Sequence, residues 1–107
     1  MHRTRDEILA ARRRLREQYG DLFDSIAALL FRIDPIGINV GKNRGEYESE
    51  AETILPRLQR CESAEDVLRV VHEEFVGWFG AETAGSKERY AEIASGIYRL
   101  TQKKKRV

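Results

Sequence analysis

The sequence predicts an all-α fold: a small single-domain bundle of about four helices, with a long first helix and one structured glycine-rich loop. Three observations predict it. Apolar residues recur at three- and four-residue intervals along most of the chain, the spacing that gathers them on one helix face. Ser or Thr stands three residues ahead of an acid just before several of these stretches, which is a helix-start signature. The only strand-like alternation, Ile36, Ile38 and Val40 against Gly37, Asn39 and Gly41, has no second segment to pair with.

The first helix opens at Thr4 and Glu7, a capping box. Its stripe runs Ile8, Leu15, Tyr19, Leu22, Ile26, Leu30, Ile33 and keeps phase through Gly20. A glycine inside a helix costs about 1 kcal/mol, less than such a stripe offsets, so one continuous or mildly kinked helix is favoured over two helices meeting at Gly20 and Asp21. Pro35 ends it, because the residue before a proline is steered away from helix. Residues 34–47, D-P-I-G-I-N-V-G-K-N-R-G-E-Y, then form the one long break. A loop of this length in a compact chain is functional or packed down, and Ile36 and Ile38 are the expected anchors.

Ser49 with Glu52 marks the next start, for a short helix carrying Ala51, Ile54, Leu55 and Leu58 and interrupted at Pro56. Ser63 with Asp66 starts a third, with Val67, Val70, Val71, Phe75, Trp78 and Phe79, and Gly80 closes it. After a linker at residues 81–85, Ser86 caps a last helix with Tyr90, Ile93, Ala94, Ile97 and Tyr98 inward. Residues 101–107 read as a frayed basic tail.

At 107 residues the chain suits one domain, residues 1–107, with a single core. Net charge is only +1, but the charge is segregated. Arg3, Arg5, Arg12, Arg13, Arg14 and Arg16 make the start basic, twelve acids face five bases over residues 46–92, and residues 103–106 are basic again. The lone Cys61 excludes an internal disulfide and suits a reducing cytoplasm. The start lacks the apolar run of a signal peptide, and the longest apolar stretch, residues 26–31, is far short of the roughly 20 residues that span a bilayer. A cytoplasmic, non-membrane protein is expected.

Enzymatic motifs fail one by one. The segment G-I-N-V-G-K-N is one residue short of phosphate-loop spacing and has Asn43 where magnesium needs a hydroxyl. His72-Glu73-Glu74 begins like a zinc-protease helix, but Val76 stands where the second histidine belongs. A di-iron Glu-x-x-His pair is broken by Arg69, and His72 reads as a partly buried structural histidine. Glu46, Glu48, Glu50 and Glu52 hint at a magnesium site, yet acids at a helix start are favoured by the helix dipole alone. Consecutive arginines at 12–14 point around a helix rather than to one side, which fits a solvated face better than a nucleic-acid footprint. The aromatic-rich residues 75–79 exceed what one helix face needs, leaving Val76 or Trp78 for a partner.

The order of D-P-I-G-I-N at 34–39, E-Y at 46–47, E-A at 50–51, I-L at 54–55 and F-x-x-W-F at 75–79 resembles a family of small bacterial helical proteins classed as a domain of unknown function. The resemblance covers roughly residues 22–98. It implies a compact all-α fold, and no activity, cofactor or catalytic residue.

The expectation is therefore a non-enzymatic protein-interaction module, immunity-, antitoxin- or adaptor-like, with another protein as partner and no cofactor. Its candidate surface is Asp34, Asn39, Lys42, Arg44, Glu46 and Trp78. The alternatives are a nucleic-acid accessory protein using the basic termini, or a small metal- or nucleotide-dependent enzyme using the loop acids.

Overall fold

Residues 3–37 and 47–105 are described by the structure, a computed structural model. Helical periodicity is realised throughout them, and they contain no strand. The elements are α1 (Arg5–Tyr19), α2 (Leu22–Ile33), α3 (Glu48–Ile54), a 3₁₀ segment (Leu55–Arg60), α4 (Ala64–Phe79), α5 (Ala81–Ala84), a second 3₁₀ segment (Lys87–Tyr90) and α6 (Ala91–Lys105). Among the described residues, six α-helices thus stand where about four were expected. α6 runs on to Lys105, into the stretch read as a basic tail.

The long first helix is two helices. Gly20 takes φ +66°, a conformation that suits glycine, and its N–H closes α1 on the Arg16 carbonyl at 2.8 Å. Asp21 then begins α2 without a side-chain cap. The break lets each part bury what suits it. α2 places Phe23, Ile26 and Leu30 fully in the core, whereas α1 buries no residue completely. The stripe through Gly20 was therefore two stripes that happened to share a phase.

Local chemistry explains the other boundaries. Thr4 Oγ1 accepts from the Glu7 N–H and the Glu7 carboxylate accepts from the Thr4 N–H, completing the capping box. Ser63 Oγ accepts from the Asp66 N–H at 3.1 Å, and Gly80 at φ +85° ends α4. The Ser49–Glu52 box does not form. α3 starts at Glu48 with Tyr47 before it, and the side chains of Ser49 and Glu52 are engaged by arginines instead. Pro56 falls in the first turn of the 3₁₀ segment, where its missing N–H costs little. The linker at 81–85 contains α5, and Ser86 precedes a 3₁₀ turn without capping α6 through its side chain.

α4 is the central element, lying against α3, α5 and α6. Its Phe75 ring is fully buried, with centroids 4.9 Å from Tyr90, 5.7 Å from Phe79 and 6.0 Å from Tyr47. Around it lie Ile54, Leu55, Val67, Val71, Ile93 and Ile97, all essentially inaccessible. The radius of gyration, 13.4 Å, matches the roughly 13 Å of a compact 100-residue domain. Burial of this kind contributes on the order of 1.5–3 kcal/mol for each large apolar side chain, so the core rests on α2 to α6. His72 is half-buried as expected. Its Nε2 lies 3.0 Å from the Gly85 carbonyl, which can only accept, so Nε2 carries the proton, and its ring packs on Tyr90.

Candidate interaction surface

The arginines of α1 define the first part of the surface. Arg12 is not solvated. Its guanidinium donates to Glu48 at 2.7 Å, to Ser49 Oγ at 3.1 Å and to Glu52 at 3.4 Å, and its side chain is only 15% exposed. Arg3 also pairs with Glu52, which holds the Arg3 guanidinium above its ordinary pKa. Arg16 forks onto Asp24 at 3.0 Å and stacks over Phe23, 5.0 Å from the ring centre. α1 is thus fastened to α2 and α3 by charge as well as by Leu15 and Tyr19, which pack against the core. Glu48 and Glu52, two of the acids that hinted at a metal site, are engaged in this fastening. No cluster of three His, Cys, Asp or Glu suited to a metal occurs among the described residues.

Of the predicted surface residues, Asp34 sits at the C-terminal end of α2. It adopts φ +54°, the one non-glycine residue with positive φ among those described. Tyr47, just before α3, donates its hydroxyl to Asp34 Oδ1 at 2.6 Å, and the Ile36 N–H donates to the same hydroxyl at 3.3 Å. Ile36 is half-buried against the core, so one expected anchor is in place. Arg89 braces this end further, donating to the Pro35 carbonyl at 3.4 Å and the Thr83 carbonyl at 3.1 Å. Asn39, Lys42, Arg44 and Glu46, with the second anchor Ile38, lie outside the described residues.

Trp78 is 46% exposed, and its indole N–H donates to Thr53 Oγ1 at 3.0 Å. It faces α3 at the surface instead of joining the core with Phe75. Val76 and Phe79 are half-buried.

A groove between α2 and α6, about 450 Å³ in volume, was missed by sequence reasoning. Ala28, Leu29, Gly96 and Leu100 supply its apolar floor, Ser25 a hydroxyl, and Arg32, Arg99 and Lys103 its charge. No acid lines it. Among the described residues none of these three cations has an ion-pair partner, and all three are exposed. Gly96 lets the Leu29 side chain pack directly on the backbone of α6. A Cβ there would stand 2.8 Å from a Leu29 methyl. The available signal was Gly96 inside a good helical stripe, since an interior helical glycine usually has a packing or functional reason.

Among the described residues, no helix is long and apolar enough to cross a membrane. Comparison with protein-family models, curated proteins and solved structures finds no match to this chain.

Proposed function

We propose that this is a non-enzymatic protein-interaction module, an immunity-, antitoxin- or adaptor-like partner of another cytoplasmic protein. The observation that carries the reading is the α2–α6 groove, where a half-exposed apolar floor lies beside three cations without ion-pair partners. Apolar area rimmed by polar groups marks docking surfaces on small proteins. The exposed Trp78 and the end of α2 at Asp34 offer secondary contacts. The resemblance to a small bacterial helical family implies no activity and is compatible with this reading.

The nucleic-acid alternative is weakened at the N-terminal end. Arg3, Arg12 and Arg16 already face Glu52, Glu48 and Asp24, so half of the six N-terminal arginines are not available to phosphates. The loop-acid enzyme is weakened in the same way by the arginines on Glu48 and Glu52.

Photo-cross-linking tests the reading. A photoreactive residue at exposed Ala28, on the groove floor, should yield a protein adduct in cells. The same group at exposed Arg13, outside the groove, should not yield that adduct. Identical adducts from both positions, or none from Ala28, would contradict it.

A further inference from the structure

We infer that the α2–α6 groove receives an acidic amphipathic helix from the partner protein. This rests on the interaction reading and adds the chemistry of what is bound. The groove takes residues 25–32 from α2 and 96–103 from α6. Each run is two helical turns, about 10 Å at 1.5 Å per residue, which is the span from anchor i to anchor i+7 of a helix lying along the groove. Leu29 and Leu100 are half-buried within this concavity, which suits the i, i+3, i+4, i+7 anchors of a helix laid into a groove. Arg99 and Lys103 are four residues apart on one helix, so they follow each other along one side. Arg32 supplies the third charge from the other helix. Carboxylates flanking the apolar anchors of a docked helix would meet all three.

Charge selects this occupant over others. A basic or neutral helix would leave three cations beside it without compensation, and like charges across an interface are strongly disfavoured. A single strand would find its phosphates matched but its bases unserved, because the described lining contains no aromatic side chain for stacking, and a duplex would leave the apolar floor uncovered. An anionic bilayer shares the charge but is flat, so it would reach Ala28 and leave the half-buried Leu29 and Leu100 incompletely covered.

Three synthetic peptides of equal length test this by amide chemical shifts of the full chain. Each has Leu at helix-groove spacing, flanked by Glu in one, Gln in the second and Lys in the third. The Glu peptide should shift amides within 25–32 and 96–103. The Gln peptide should bind about tenfold more weakly at low salt, since three exposed ion pairs contribute a factor of a few each. Arg99→Glu with Lys103→Glu should reverse the preference toward the Lys peptide. Gly96→Ala gives a second handle. Its methyl pushes Leu29 into the groove while improving helix propensity, so the fold should persist and Glu-peptide affinity should fall.

Equal binding of the Glu and Gln peptides would overturn the acidic partner and leave helix docking standing. Groove shifts produced more strongly by a DNA duplex or by anionic vesicles would overturn the docked helix altogether, in favour of those ligands. If no peptide shifts the groove while Ala28 still cross-links a protein, the acidic helix falls alone. Failure of both experiments removes the interaction reading as well.

Discussion

On the α1–α3 face, Arg3 and Arg12 lie against Glu48 and Glu52, and Arg16 against Asp24. Along the α2–α6 groove, Arg32, Arg99 and Lys103 are as basic but form no ion pair among the described residues. The first set fastens to the core a helix that buries nothing completely. The second contributes nothing visible to the fold, and cations kept beside an apolar floor are what an incoming acidic surface needs. In a chain with net charge +1, segregation thus has two separate meanings, and only the pairing distinguishes them.

The largest perturbation tests whether both faces depend on the same core. Phe75→Ala removes the ring on which Tyr47, Phe79 and Tyr90 pack. It should cost about 3–5 kcal/mol in urea denaturation and abolish groove binding together with the fold. Retained peptide binding in that variant would mean that α2 and α6 hold the groove without α4.

A milder change isolates the charged face. Glu52→Gln keeps the shape but removes the charge facing Arg3 and Arg12. With Glu52 only 13% exposed, the loss should be about 1 kcal/mol or somewhat more. Amides of α1 should then exchange faster with solvent while those of α4 keep their protection. An unchanged α1 would show that Leu15 and Tyr19 hold it without charge.

Smaller still is the effect of acid. Glu7 is held below its ordinary 4.5 by hydrogen bonds within the Thr4 capping box, Asp66 below 3.8 chiefly by the Glu62 N–H, and Glu73 below 4.5 by Arg57. A carboxylate whose pKa is depressed on folding stabilises the fold fully above its unfolded value and ceases to do so as pH falls through the folded one. Stability should be flat from neutral pH down to about 5, then decline modestly below the ordinary carboxylate range. These groups are exposed, so the decline should shrink in high salt. A maximum of stability below pH 4 would contradict these assignments.

The helical class was legible because period and caps agree at Thr4–Glu7 and at Ser63–Asp66, where local chemistry alone decides. The break at Gly20 was not, because two stripes in phase look like one. The Ser49–Glu52 box failed for a reason outside its own segment: arginines far away in sequence reach Ser49 and Glu52. The groove was hidden for the same reason. Arg32 and Arg99 are ordinary helix-surface residues until α2 and α6 lie side by side, and Gly96 gave the only local sign. Asp34 and Trp78 were legible as unusual positions, one before a proline and one surplus aromatic. Neither could reveal its partner, Tyr47 or Thr53.

The contrast between the two faces is tested most directly by urea denaturation of Arg12→Ala beside Arg99→Ala, each also titrated with the Glu-bearing peptide. Arg12→Ala leaves Glu48 and Glu52 facing each other and should cost about 1–3 kcal/mol. Its peptide affinity, measured where the variant is folded, should stay unchanged. Arg99→Ala should melt within about 0.5 kcal/mol of the parent chain and bind the peptide several-fold more weakly. If Arg99→Ala destabilises the chain as much as Arg12→Ala does, the groove cations belong to the fold and the distinction drawn between the two faces is wrong.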